Sequence, residues 1–295
     1  MCGPALVAFS KRDQIFKDLM TALAAIPCYI NSSAKASNSL VECVLMHWCA
    51  DLPYRLIEPD RHAMFPPMNS FSPSQLAAFI DHTLLKPDAA AKDIGKLCAE
   101  AREHKFFSVC VNGSRVAGAR HFLDGSDVKV ACVVGFPLGA MSTDAKRFEA
   151  EAAIDDGAQE IDLVLNVARL KDGEDKYVLR ELIDVVEAAD ERTVKVILET
   201  CLLTDEQKIR ACRLVVESGA RFVKTSTGFS TGGATLADVK LMRATVGPDF
   251  GVKASGGIRD TKAALAMIEA GATRLGTSAS IAIVKGLDSL PPGSF

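Results

Sequence analysis

At 295 residues, with 48% hydrophobic and 24% charged side chains, the chain can build one large soluble domain or a barrel with an extension. A net charge of −3 and a pI near 6.0 give no reason to expect a nucleic-acid partner, although a small anionic substrate needs only a local patch. No apolar run approaches the roughly 18 residues needed to cross a bilayer, and nine cysteines without a CxxC pair read as reduced, partly buried thiols of a cytoplasmic protein.

Residues 1–70 differ from the rest. They hold the single tryptophan, Trp48, two of the three tyrosines and four of the nine cysteines, and they show no strand–turn–helix units. We expect a poorly ordered N-terminal extension there. The alternatives are a targeting segment around the apolar stretch Leu19–Ile30 or a partner-binding arm; Asp13 and Asp18 interrupt the basic region that targeting would use. Residues 71–295 are expected to form the folded domain.

From Phe71 the pattern is regular. Ser72-Pro73-Ser74-Gln75 is a capping box with proline at the first helical position, opening a short helix through Phe79. Asp81–Leu85 reads as a strand and Asp88–His104 as a helix with Ile94, Leu97, Cys98 and Ala101 on one face. Further apolar, β-rich runs are Phe106–Val111, Val128–Gly135, Ile161–Asn166, Val194–Glu199, Phe222–Thr227, Gly251–Ala254 and Arg274–Thr277. A helix over Thr204–Ser218 starts with a second capping box, Thr204 to Gln207. Gly157-Ala158, Gly219-Ala220 and Gly271-Ala272 each end a helix just before a strand. Eight strands alternating with helices predict an α/β fold, a (β/α)₈ TIM barrel. A doubly wound sheet is the alternative, without a GxGxxG turn to favour it.

Barrel chemistry collects at the carboxyl ends of the strands. Lys224 lies in Val223-Lys224-Thr225-Ser226-Thr227-Gly228, and Lys253 in Val252-Lys253-Ala254-Ser255-Gly256-Gly257 on the next strand. Neighbouring strands run about 4.8 Å apart, so two lysines facing one mouth would be close. Each could simply pair with a carboxylate. Alternatively, burial and a second cation would strip the proton from one amine and make it a nucleophile toward a carbonyl. Asp162, inside the apolar strand Ile161–Asn166, either neutralises a lysine or relays protons. Asp81 is a weaker candidate for balancing charge, Cys110 reads as a core thiol and Glu199 as a structural acid. Gly228, Gly256 and Gly257, with Gly276 and Ser278 after the eighth strand, fall where barrels build phosphate sites. No metal is expected, since His47, His62, His82, His104 and His121 show no ligand spacing.

The motifs Ile80–Lys86 (IDHTLLK), Val128–Pro137, Glu160–Asn166, Val223–Phe229 (VKTSTGF) and Val252–Arg259 (VKASGGIR) together closely resemble the deoxyribose-phosphate aldolases, in order, from about Phe71 to Val284. The resemblance implies a class I Schiff-base aldolase. It would reversibly cleave 2-deoxy-D-ribose 5-phosphate to D-glyceraldehyde 3-phosphate and acetaldehyde, in deoxyribose phosphate catabolism. It makes Lys224 the Schiff-base lysine, Lys253 the neighbour that lowers its pKa and exchanges protons, and Asp162 the proton donor and acceptor. It implies no cofactor, and since barrels of this type often form dimers, a homodimer is the expected partner. The chain departs from some members by having Phe229 where they carry a lysine, by lacking a C-terminal tyrosine, and by its extension. A transaldolase-like enzyme and a non-catalytic phosphosugar-binding barrel are the competing readings.

Overall fold

The computed structural model describes residues 71–289. The expected extension over residues 1–70 lies outside the described residues, as does the tail after Ser289. Helix α1 (Pro73–Ala77) opens with the capping box read from the sequence: Gln75 N donates to Ser72 Oγ at 3.2 Å and Ser72 N donates to Gln75 Oε1 at 2.8 Å. Strand β1 (Ile80–Thr83), helix α2 (Ala91–His104), β2 (Ser108–Val111), α3 (Val116–Phe122), β3 (Lys129–Val134), α4 (Thr143–Asp155) and β4 (Glu160–Val164) follow. After α5 (Val167–Lys171) and α6 (Asp175–Ala188) come β5 (Thr193–Ile197), α7 (Asp205–Glu217), β6 (Phe222–Lys224), α8 (Leu236–Val246), β7 (Gly251–Ser255), α9 (Thr261–Glu269), β8 (Arg274–Thr277) and α10 (Ser280–Lys285).

The eight strands are parallel and pair in chain order, and β8 pairs back onto β1 through Ile80↔Leu275 and Asp81↔Gly276. The sheet is therefore a closed (β/α)₈ barrel with no free edge. Gly157, Gly219 and Gly271 stop α4, α7 and α9 at φ of 102°, 84° and 112°, the left-handed turn expected of them. Most strand boundaries differ from the sequence reading by one or two residues, and two element boundaries differ by three. Helix α2 starts at Ala91 because Ala90 N donates to Asp93 Oδ2 at 2.9 Å, fixing the first turn after Pro87-Asp88. Strand β6 ends at Lys224 because the Thr225 side chain takes over the pairing, with Oγ1 bonded to both Ser255 N and Ser255 O at 3.0 Å.

Alternation along the strands puts apolar residues outside the barrel and polar ones inside. On β5, Val194 and Val196 join the main core between sheet and helices, while Lys195 points inward and is fully buried. The interior holds a small apolar cluster of Leu85, Cys110, Ala131 and Val133, on the β2–β3 side. The core that stabilises the fold thus surrounds the barrel, leaving its axis free for charges. Because β1 closes directly on β8, deleting residues 1–67 is expected to leave the thermal midpoint and turnover nearly unchanged. An insoluble or inactive truncation would show that the barrel depends on that segment.

Candidate active site

Lys224 and Lys253 are register partners on β6 and β7. Both side chains turn inward, and both Nζ atoms donate to Asp162 Oδ2, each at 2.7 Å. The structure therefore brings the three expected residues together around one carboxylate oxygen. Asp162 Oδ1 accepts from Lys195 Nζ at 2.9 Å, and Lys195 also pairs with Glu160 Oε2 at 2.6 Å. Asp81 bridges Lys253 and Arg274, accepting from the latter at 2.9 Å. Arg274 returns to Glu160 Oε2 at 3.2 Å and lies over the Phe107 ring, 3.3 Å from its centroid. All seven charged groups are buried.

Their surroundings separate the two lysines. Burial lowers the Lys224 pKa most strongly; Asp162 opposes this, Lys253 adds to it, and the net direction is downward. Burial also works against the charge on Lys253, but Asp162 and Asp81 outweigh it and raise its pKa. Burial works to raise the pKa of Asp162, yet Lys195, Lys224 and Lys253 together hold it well below the usual carboxylate range. Asp81 is likewise held low, against its burial, by Lys253 and Arg274. The site therefore contains one amine inclined to lose its proton beside one that keeps it.

At the mouth, the loops after β6 and β7 touch backbone to backbone. Gly228, Gly256 and Gly257 have φ of 83°, 88° and 83°, and a Cβ on nearby Gly233 would come within 2.3 Å of Gly256 O. Ser278 is exposed just beyond β8. Gly276 is placed differently, within β8 and facing the interior, where a Cβ would meet Ser255 Cβ at 2.9 Å and Lys253 Cε at 3.1 Å. Its missing side chain makes room for Lys253. A cavity of about 120 Å³ opens beside these loops, lined by Leu138, Val164, Glu199, Thr227 and Phe229 among others. A larger depression of about 310 Å³ lies between α4 and α6, far from the strand ends, and its Arg147, Glu151, Arg180 and Asp184 are ordinary surface charges.

Glu199 is buried under the first loop, accepting from Thr227 N at 3.3 Å and from the Thr227 hydroxyl. Cys110 faces the lysines, and burial pushes its thiol up to about 11, leaving it protonated at neutral pH. The described cysteines are free thiols, four buried and Cys201 exposed. His82 points outward from β1, its ring between Ser280 Oγ at 2.8 Å and Glu100 Oε2 at 2.9 Å. With Ser280 fully buried, that triad-like row ties α10 to β1. Among the described residues no group of three or more histidine, cysteine or carboxylate side chains is arranged to hold a metal ion, and no helix is long and apolar enough to cross a membrane.

Three partners escaped the sequence reading: Lys195, Glu160 and Arg274. A signal for Lys195 was present, because the Val-Lys pair recurs at 195, 224 and 253, an interval of 29 residues each time. That interval is one βα unit, so all three lysines face the interior, but Ile197 rather than Lys195 is the register partner of Lys224, which sets Lys195 one inward position lower on β5.

The family model described as "DeoC/LacD family aldolase" matches residues 76–287. A deoxyribose-phosphate aldolase of Alkaliphilus oremlandii is 64% identical over 210 residues, covering 71% of this chain and 95% of the relative. Among solved structures, an aldolase designated QR15 superposes with a TM-score of 0.70 at 40% identity, covering 72% of this chain and 96% of its own. A tetrameric deoxyribose phosphate aldolase from Aeropyrum pernix gives 0.70 at 34% identity, covering 75% and 94%.

Proposed function

The chain belongs to the DeoC/LacD family of aldolases, carbon–carbon lyases, and on that premise we propose that it cleaves 2-deoxy-D-ribose 5-phosphate reversibly to D-glyceraldehyde 3-phosphate and acetaldehyde through a Schiff base on Lys224. The observation that supports this most is the pair of amines on a single carboxylate oxygen, 2.7 Å each, with only one of the two driven toward the free amine. Two lysines serving as structural ion pairs would both keep their protons.

In this reading the Lys224 amine adds to the C1 carbonyl of the open-chain sugar. The resulting carbinolamine oxygen takes up a proton and leaves as water, forming an iminium. The iminium draws in the electrons of the C2–C3 bond while the C3 hydroxyl gives up its proton, and glyceraldehyde 3-phosphate departs. The enamine left behind is protonated at C2, and hydrolysis releases acetaldehyde and restores Lys224. Asp162, ionised at rest, takes up a proton from one amine and passes it on, while Lys253 supplies the neighbouring positive charge and exchangeable protons. Gly228, Gly256, Gly257 and Ser278 offer the phosphate their backbone N–H groups, with Gly276 leaving space for Lys253. No cofactor enters these steps. Assembly as a homo-oligomer is part of the same proposal.

Borohydride added with acetaldehyde is expected to fix a reduced two-carbon unit on Lys224, located by mass spectrometry, and EDTA is expected to leave turnover intact. Label elsewhere, or inactivation by EDTA, would sink the mechanism.

Phe229 allows a separate test of the phosphate end. It is 53% exposed and meets Phe136 edge to face, with centroids 5.1 Å apart, so it is not a core residue under the loop. Phe229→Lys adds a charge-assisted hydrogen bond to phosphate, worth about 1.5–3 kcal/mol where well formed. The kcat/KM for deoxyribose 5-phosphate, relative to that for deoxyribose, should rise by about tenfold or more. An unchanged ratio in a folded variant would place the phosphate elsewhere.

A further inference from the structure

The buried charges form a closed ring. Going round it, Asp162, Lys253, Asp81, Arg274, Glu160 and Lys195 alternate in sign, and each touches both neighbours. Lys224 hangs from Asp162 outside the ring as a fourth cation against three anions. With the six ring members charged, the ring is neutral, and a protonated Lys224 adds one uncompensated positive charge to it.

Among the described residues Lys224 has no ion-pair partner besides Asp162, and the buried Glu199 at the mouth accepts from Thr227 instead. Asp162 on β4, Lys253 on β7 and Cys110 on β2, whose thiol is neutral, act on Lys224 directly, while Lys195 on β5, Asp81 on β1 and Arg274 on β8 pair with the other ring members. Strand β3 presents Ala131 and Val133. At the far side only Lys129, 43% exposed, approaches Glu160, at 4.0 Å. Charges in such a place are weakly screened, so the ring's balance is felt at Lys224 through more than direct contact.

We propose that Glu160 and Arg274, neither of which touches Lys224, are positioning residues whose opposite charges close the ring and so set the pH range in which Lys224 acts as a nucleophile. This rests on the Schiff-base reading of Lys224. It differs from ordinary structural support in one respect: the two residues must act with opposite sign. Glu160→Gln leaves one cation in excess, which disfavours the Lys224 ammonium and moves the midpoint of the acid limb to lower pH. Arg274→Met leaves one anion in excess, which favours the ammonium and moves the midpoint to higher pH. A shift of roughly half to one pH unit is expected in each direction for charges beyond direct contact. The double variant removes one charge of each sign and should return close to wild type.

The test measures kcat/KM for retro-aldol cleavage against pH in the full chain. In parallel, the pH dependence of borohydride trapping of acetaldehyde at Lys224 is followed by mass spectrometry. Opposite shifts in the two single variants, cancelling in the double, support the ring. Shifts in the same direction, or none, in folded single variants overturn it. Should a single variant fail to fold because of its unpaired buried charge, the balanced double variant decides: a folded double variant with the wild-type midpoint supports the ring. A displaced midpoint or failure to fold overturns it. Absence of label at Lys224 in the wild type removes the Schiff-base reading and the ring's role together, whereas label present with unmoved midpoints removes the ring alone.

Discussion

Lys224→Ala is expected to lower retro-aldol turnover by at least ~10⁴-fold while leaving the barrel folded. The loss follows from chemistry: without the amine no iminium forms, and nothing else nearby can draw in the electrons of the breaking bond. Folding should survive because Asp162 keeps Lys195 and Lys253 as partners when Lys224 is gone. The remaining ions are then three of each sign, so no buried charge is stranded. Lys224→Arg gives the discriminating control, since it restores a cation that cannot act as the nucleophile. Both variants should be equally inactive and unlabelled by acetaldehyde and borohydride. Substantial turnover in either, measured with purified folded protein, would move the nucleophile to another residue.

The contrast between Lys224 and its neighbours also explains what could be read from the sequence. The barrel was legible because outward-facing strand positions such as Val194, Val196 and Val223 form apolar runs, and because capping boxes and terminal glycines mark the helices. Lys224, Lys253 and Asp162 stood out as charges interrupting those runs, the lysines being followed by small residues of the mouth loops. Lys195 interrupts a run too, yet no Gly-Ser loop follows it, so it looked like one more polar position on a strand. Glu160 and Arg274 begin their strands, where a charged residue normally reaches solvent. Only closure of the barrel places those two strand starts around one interior, and closure is a long-range property invisible to local pattern. The burial of Arg274 under Phe107 and beside Asp81, 193 residues away in sequence, could not be inferred from either neighbourhood alone.

Lys253→Leu should shift the acid limb of the pH profile upward and reduce both rate and stability. With both amines 2.7 Å from Asp162 Oδ2, the two nitrogens are no more than about 5.4 Å apart. At an effective dielectric near 20, two unit charges at that separation repel by about 3 kcal/mol. That repulsion adds to burial in favouring the free amine of Lys224. Removing Lys253 therefore stabilises the Lys224 ammonium, and the free amine appears only at higher pH. Loss of Lys253 also strips one partner from both Asp81 and Asp162, leaving an anion in excess unless Lys224 is protonated. Breaking a buried pair this way typically costs about 3–5 kcal/mol, so the thermal midpoint should fall, in contrast to Lys224→Ala. Lys253→Arg, which keeps the cation, should hold the pH midpoint near wild type even if its bulk slows turnover. The measurement is kcat/KM against pH for the three proteins, alongside thermal denaturation. A Lys253→Leu variant that folds, works and keeps the wild-type midpoint would mean that burial alone lowers the Lys224 pKa and that the second lysine serves only in proton transfer.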